Sequence, residues 1–274
     1  MPSGSNLKRT LAAALLFGGA LALTGCGGSA KKSSTESAVQ GKILFAERLI
    51  QAGSYPEAQK MLTDAQRLEP NNPQVHYYQG VVNFSIGDLP AAEKSLNESI
   101  RFNKRNPDAH NVLGLVYKQR GDYQRAMSEY QIAIDDPTFA AKESVYLNMG
   151  LCLDEMGKTE EAISKLRTAV EINPKYYPAH YELAKLLDRQ DQTREAIEEY
   201  EVAAPQYNSD PTWHYRIGLA YFRDRNIERA REHLTKVITG LPGSEKAVKA
   251  REYLDLMKAE PAAGTAPDRL GSPR

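Results

Sequence analysis

Residues 107–136 read PDAHNVLGLVYKQRGDYQRAMSEYQIAIDD. Gly114 is small at a point where two packed helices must approach closely, and a bulky residue there would force them apart. Ala126 and Ala133 follow at helical spacing and mark the contact stripe of a second helix. Gly121 lies between the two segments and can take the positive φ of a helix-ending turn. The stretch therefore predicts a helix-turn-helix hairpin.

The same pattern recurs along most of the chain. Repeats begin near residues 39, 73, 107, 143, 177 and 211, so the offsets are 34, 34, 36, 34 and 34. The early small residue recurs as Ala46, Gly80, Gly114, Gly150, Ala184 and Gly218. The first contact position of the second helix recurs as Ala58, Ala92, Ala126, Ala162, Ala196 and Ala230. Six hairpins are predicted, over 39–72, 73–106, 107–142, 143–176, 177–210 and 211–242.

The turns and the C-terminal end complete this pattern. The first four turns carry Gly53, Gly87, Gly121 and Gly157, whereas the last two use Asp191 and Arg225-Asn226. Residues 243–258 predict one more amphipathic helix that caps the last repeat, with Ala247, Ala250, Leu254 and Met257 on one stripe. Residues 259–274 are rich in Pro, Ala and Gly, which predicts a disordered tail.

These spacings resemble the tetratricopeptide repeat (TPR) family over about residues 39–242. The resemblance implies an all-α, right-handed superhelical solenoid of six helix-turn-helix repeats plus a C-terminal capping helix. A repeat array of this kind replaces the two ordinary domains that the length of 274 residues would otherwise suggest.

The N-terminal segment has the order of a secretory signal. Lys8-Arg9 precede an apolar run, Leu11 to Leu23, that is too short to span a bilayer. Leu23-Thr24-Gly25-Cys26 then resembles the bacterial lipobox, which implies a signal peptide over 1–25 and acyl chains on Cys26. Residues 26–38 are predicted to form a lipidated, flexible tether to the membrane. The alternative is an uncleaved anchor, or an ordinary signal with an incidental cysteine.

Composition and the remaining polar residues favour no catalytic chemistry. The 35 basic and 35 acidic residues balance, which argues against a nucleic-acid surface. The histidines His76, His110, His180 and His214 share the fourth place of their repeats, too far apart to ligate one metal ion. Cys152 lies within a predicted helix, where a buried structural thiol is expected. The sequence predicts a non-enzymatic protein without metal, cofactor or small-molecule substrate.

One stripe of the first helices is not needed for contact with the second helices. The TPR resemblance implies that it lines a concave groove, and the stripe is mostly apolar and aromatic. It consists of Tyr77, Val81, Phe84, Asn111, Leu115, Lys118, Leu147, Leu151, Tyr181, Lys185, Asp188, Tyr215, Leu219, Phe222 and Arg223. We expect it to bind an apolar or amphipathic protein segment, with the charged members setting its register. The alternative is that these side chains only pack against neighbouring helices.

The joint between the third and fourth repeats carries a narrower resemblance. Two extra residues enter there, and Asp136-Pro137-Thr138-Phe139 leads through Glu143 to Val145-Tyr146-Leu147-Asn148-Met149-Gly150-Leu151. This segment is similar to the corresponding joint of the type IV pilus biogenesis lipoproteins of the PilF/PilW/Tgl group.

That resemblance implies a pilotin, which binds secretin subunits and promotes their targeting to the outer membrane and their multimer assembly. Gly27 follows the lipobox cysteine, where aspartate would be the usual signal for inner-membrane retention, so a periplasm-facing outer-membrane anchor is expected. The alternative function is an outer-membrane TPR adaptor that regulates peptidoglycan enzymes. The two extra residues at the joint either bend the solenoid or form a contact site.

Overall fold

The computed structural model describes residues 30–259, which form thirteen helices and no strand. In chain order the helices are α1 (Ala30–Gln51), α2 (Tyr55–Leu68), α3 (Pro73–Ile86), α4 (Leu89–Phe102), α5 (Pro107–Gln119), α6 (Tyr123–Asp135), α7 (Lys142–Glu155), α8 (Thr159–Ile172), α9 (Tyr177–Arg189), α10 (Thr193–Tyr207), α11 (Pro211–Arg223), α12 (Ile227–Gly240) and α13 (Glu245–Ala259). They fall into two compact units, Met1–Asn173 with α1 to α8 and Pro174–Arg274 with α9 to α13.

Consecutive helices pair as the six predicted hairpins, which confirms the all-α repeat fold. The early small residue is required because a side chain sixteen positions later fills its space. A Cβ added at Gly114 would lie 2.5 Å from Cε1 of Tyr130, and one added at Gly80 would lie 2.6 Å from Cγ of Leu96. The alanine twelve positions after the small residue, such as Ala126, is fully buried against it. Each hairpin is therefore locked by one small residue and one large one.

The turns within the hairpins share one backbone conformation whatever residue occupies them. Gly87 ends α3 with φ of 86° and donates its N–H to the carbonyls of Asn83 and Phe84. Asp191 and Arg225 take the same left-handed conformation, with φ of 57° and 63°. A residue with a Cβ adopts this region at a cost of roughly 1 kcal/mol, so the hairpin contacts hold these two turns in place.

The N-terminal helix begins earlier than the first repeat was predicted to begin. Helix α1 starts at Ala30 and runs for 22 residues, whereas the other first helices have 13 or 14. The structure thus differs from the predicted flexible tether over residues 30–38, which are helical. Lys, Ser, Glu and Ala fill this stretch without Gly or Pro, so nothing in it breaks a helix. The predicted signal peptide, Cys26 and residues 260–274 lie outside the described residues.

Helix α13 closes the second unit as the predicted cap. Its inner face places Ala247, Ala250 and Met257 against α11 and α12, each at most 3% exposed. The outer face differs from that of α11. The places of Ile217, Gly218 and Tyr221 in α11 are taken in α13 by Arg251, Glu252 and Asp255, which are exposed. The cap therefore presents a polar surface where a further second helix would otherwise pack.

No helix within residues 30–259 has both the length and the hydropathy needed to cross a bilayer.

Candidate protein-binding groove

The four in-register histidines hold hairpins together and do not line a groove. Nδ1 of His110 lies 2.7 Å from Oε2 of Glu129, and His180 pairs with Glu199 in the same way. In each pair the first helix is thereby joined to the second helix of its own hairpin. Nε2 of His76 lies 2.8 Å from the carbonyl of Pro70, and Nε2 of His180 makes the equivalent link to Pro174. Across the described part of the chain, no three His, Cys, Asp or Glu side chains gather as a metal site requires.

Cys152 lies in the core of the first unit with no exposed surface. Burial raises the pKa of its thiol to about 11, so it is protonated at neutral pH. A protonated, inaccessible thiol is neither a nucleophile nor a metal ligand. Its role in the fold is to fill space in α7.

The predicted groove is closed over most of the first unit. Two of its side chains, Val81 and Phe84, are 0% and 1% exposed, because the outward stripes of adjacent first helices interdigitate. The buried members are Tyr77, Val81, Phe84, Asn111, Leu115 and Leu147. These six residues are buried and therefore do not form the open binding surface that was expected of them.

The other two predicted groove residues of the first unit keep some exposure. Lys118 is half-buried and donates a hydrogen bond of 2.7 Å from Nζ to Oδ1 of Asn148, which joins α5 to α7. Leu151 is also half-buried, one turn along α7 from Asn148. Two isolated partly exposed side chains do not make a continuous apolar surface.

The second unit is open where the first is closed. Each of its predicted groove residues is half-buried or exposed: Tyr181, Lys185 and Asp188 on α9, and Tyr215, Leu219, Phe222 and Arg223 on α11. The aromatic rings are held before any ligand arrives, because Tyr181 stacks on Tyr207 with 4.6 Å between ring centroids. An aromatic side chain fixed in this way loses little entropy on binding.

The charged groups of this surface are arranged as pairs. Arg223 of α11 forms an ion pair with Asp188 of α9, which ties the two helices together across the groove. Lys185 pairs with Glu182 one turn away on α9. Both pairs are only partly exposed, and each contributes at most modestly to stability.

Three further residues lie beside the predicted stripe but were not part of it. Arg216 is half-buried, and its guanidinium hydrogen-bonds Tyr181. Tyr253 of α13 packs edge-on against Phe222 at 5.2 Å between centroids, and Leu256, also on α13, is 55% exposed. Sequence reasoning treated α13 only as a cap. The 34-residue repeat could have predicted Tyr253 and Leu256, since they follow Leu219 and Phe222 by 34 residues each.

We define the C-terminal groove by the side chains that α9, α11 and α13 present together. Its members are Tyr181, Lys185, Asp188, Tyr215, Arg216, Leu219, Phe222, Arg223, Tyr253 and Leu256. The surface offers three tyrosines, a phenylalanine and two leucines beside fixed ion pairs. Aromatic and aliphatic side chains of this kind suit an apolar or amphipathic chain segment.

Comparisons with known proteins agree with this repeat architecture. Tetratricopeptide repeat family models match residues 43–107, 107–135, 155–216 and 214–244. A DnaJ homolog subfamily C member 7 homolog of Dictyostelium discoideum is 25% identical over 185 residues, which are 62% of this chain and 34% of that protein. The chain thus spans about a third of the length of this curated relative.

Two solved structures of pilus proteins are similar in fold. Pseudomonas aeruginosa PilF has a TM-score of 0.75 at 18% identity, over 80% of this chain and 99% of that chain. PilW, described as a widely conserved type IV pilus biogenesis factor, has a TM-score of 0.69 at 18% identity, over 78% and 98%. Proteins built from such repeats are generally scaffolds that bind other proteins. The chain therefore carries tetratricopeptide repeats and has the all-α fold of that family.

Proposed function

We propose that this protein is a lipid-anchored pilotin of the outer membrane, which binds secretin subunits and promotes their assembly into multimers for type IV pili. The observation that supports this most is the extent of the fold likeness to PilF and PilW. It takes in 99% and 98% of those chains, so the array matches theirs in extent as well as in type of repeat. The lipobox at Cys26 and the joint at 136–139 support the same proposal.

The C-terminal groove supplies the mechanism. Tyr181, Tyr215, Phe222 and Tyr253 hold an apolar segment of a secretin subunit, while the ion pairs at its edges fix the register of that segment. The bound segment is kept from aggregating until ring assembly buries it elsewhere. Binding energy alone performs this task, so no cofactor or substrate turnover is involved.

Acyl chains on Cys26 supply the location. Two or three chains, at about 0.8 kcal/mol per buried methylene, hold a protein stably on a membrane. The anchor keeps the groove at the membrane where the secretin ring forms and raises the local concentration of the complex.

The proposal is tested by deleting the gene and separating secretin monomers from heat-stable multimers. Multimers are expected to fall sharply, to return with the wild-type gene, and to return only partly or at the wrong membrane with Cys26→Ser. Secretin multimers that persist at the normal level and in the outer membrane after deletion would refute the pilotin function.

A further inference from the structure

A second candidate site lies in the first unit, whereas the C-terminal groove belongs to the second. A cavity of about 240 Å³ opens between the N-terminal turns of α3 and α5 and the segment 136–141. Its walls include the rings of Tyr77, Tyr78 and Phe139, and its charged lining residues are Asp108 and Arg105. Exposed side chains such as Thr138 form its mouth.

The two extra residues between the third and fourth repeats build one wall of this cavity. Oδ1 of Asp136 accepts hydrogen bonds from the backbone N–H of Thr138 at 2.8 Å and from its hydroxyl. The backbone N–H of Phe139 bonds the carbonyl of Asp136 at 3.2 Å, which closes a tight turn. This turn directs Phe139 inward, where it is 4% exposed. The insertion therefore serves as a wall of the cavity.

The aromatic wall carries an unused polar group. The rings of Tyr77 and Tyr78 meet edge to face with 5.0 Å between centroids. Tyr78 hydrogen-bonds the carboxylate of Glu47 on α1, which fixes its ring. Tyr77 is 8% exposed, and its hydroxyl has no hydrogen-bond partner among the described residues. A hydroxyl in a cavity wall can accept a hydrogen bond from a ligand.

Asp108 and Arg105 both line the cavity, but no ion pair joins them. Burial raises the pKa of this carboxyl, and the negative charge of Asp136 raises it further. Asp136 is itself stabilised by Thr138 and by the nearby cations Arg105 and Lys142, which lower its pKa. Asp108 has no ion pair within the part of the chain that the structure describes. Its position in the first turn of α5 suits the helix dipole, and its charge acts on both Tyr77 and Tyr78, so the carboxylate lies near these rings without an ion-pair partner.

We propose that this cavity is a docking pocket for an arginine side chain of a bound protein segment. The guanidinium pairs with the carboxylate of Asp108 and lies against the rings of Tyr77 and Tyr78. Arginine fits because its planar cation both stacks on aromatic faces and donates two parallel hydrogen bonds to a carboxylate. The pocket shares no residue with the C-terminal groove, so a test of the pocket is independent of the secretin proposal.

The test uses the full-length protein in detergent micelles and two blocked peptides. Acetyl-Gly-Arg-Gly-amide is titrated against acetyl-Gly-citrulline-Gly-amide, which has the same shape without the charge, and Kd is read from saturation-transfer NMR. The arginine peptide is expected to bind at least about tenfold more tightly, and Asp108→Asn is expected to remove that preference. Phe139→Leu, which keeps an apolar side chain without the ring, is expected to weaken binding as a second variant.

Glu160→Gln is the matched control. Glu160 is also an acidic residue in the first turn of a helix, α8, but its side chain is exposed and lies outside the pocket. It is expected to bind the arginine peptide as the wild type does. The proposed arginine pocket would be refuted if the citrulline peptide bound as tightly as the arginine peptide. It would also be refuted if a folded Asp108→Asn variant bound the arginine peptide as the wild type does. A lysine peptide that binds as tightly as the arginine peptide would overturn the choice of guanidinium.

Discussion

The imidazole rings of His214 and His233 meet across the hairpin of α11 and α12, with 2.9 Å between their Nδ1 atoms. Nε2 of His214 lies 2.9 Å from the carbonyl of Asn208, so this nitrogen donates and Nδ1 of His214 accepts a hydrogen bond from His233. The equivalent pairs in two other hairpins are His110 with Glu129 and His180 with Glu199. The sixth hairpin therefore has a second base where the third and fifth have an acid.

This pair makes the second unit sensitive to acid. Burial and the neighbouring His214 lower the pKa of His233 to about 4, and burial lowers the pKa of His214 as well. The unfolded chain takes up these protons near pH 6.5, so stability is fully present above about pH 6.5 and declines as the pH falls toward 4. We expect the urea midpoint of unfolding to fall between pH 7.5 and pH 5. The fluorescence of Trp213, the chain's one tryptophan, reports this locally, since its ring lies 4.9 Å from His214.

His233→Glu is the matching variant, because it introduces the acid that the third and fifth hairpins have at this place. Its midpoint is expected to fall less over the same pH range, since a protonated His214 then gains an anionic partner. Parallel pH profiles for the wild type and this variant would show that the histidine pair does not cause the acid sensitivity.

The close approach of the two helices in a hairpin predicts that Gly→Ala has opposite effects on stability at Gly114 and Gly41. Gly114→Ala places a Cβ 2.5 Å from the ring of Tyr130 and is expected to cost about 1 to 3 kcal/mol in the free energy of unfolding. Gly41→Ala in α1 meets nothing within 4 Å and is expected to gain about 0.5 to 1 kcal/mol from helix propensity. Urea titrations followed by circular dichroism measure both. A Gly114→Ala variant as stable as the wild type would contradict the close approach of α5 and α6.

The C-terminal groove predicts a loss of binding without a loss of fold. Leu256→Ser combined with Phe222→Ser removes two apolar contacts from the groove, and we expect at least about tenfold weaker binding to purified secretin monomer. Biolayer interferometry measures the affinity, and circular dichroism checks the helix content. Val202→Ser is the control, because Val202 is 41% exposed on the second helix α10 and lies outside the groove. Unchanged affinity in the folded double variant would exclude this groove as the secretin site.

The buried thiol predicts a slow chemical reaction. In a Cys26→Ser protein, Cys152 is expected to resist Ellman's reagent in native buffer and to react at once in urea, because it has no exposed surface and a raised pKa. Absorbance at neutral pH follows the reaction. Rapid labelling of the native protein would show that α7 opens readily or is packed differently.

The hairpins could be predicted from the sequence because their contacts are local. Gly114 and Tyr130 are sixteen residues apart, and Gly80 and Leu96 have the same spacing. Once this spacing is known in one repeat, it predicts the contact in the next. The start of α1 was missed because the repeat pattern begins at Val39, whereas helix propensity alone continues back to Ala30.

The exposure of the groove could not be predicted in the same way. Tyr77 and Tyr181 occupy the same place in their repeats, yet the first is 8% exposed and the second is half-buried. The difference comes from neighbouring helices, since burial raises the pKa of Tyr77 and the charges of Asp108 on α5 and Glu47 on α1 lie near enough to raise it further. Residues of other repeats determine how exposed each tyrosine is, so the sequence pattern of a single helix cannot predict it.

The polar outer face of α13 has a consequence for molecules crowded together on one membrane. An exposed apolar end on a helical array would attract the start of another copy, much as an open sheet edge attracts another strand, and a filament would grow from it. Arg251, Glu252 and Asp255 offer such a copy no apolar surface and would leave buried charges without partners. The cap thus protects the protein against end-to-end polymerisation at that face, even at the high local density that lipid anchoring would produce.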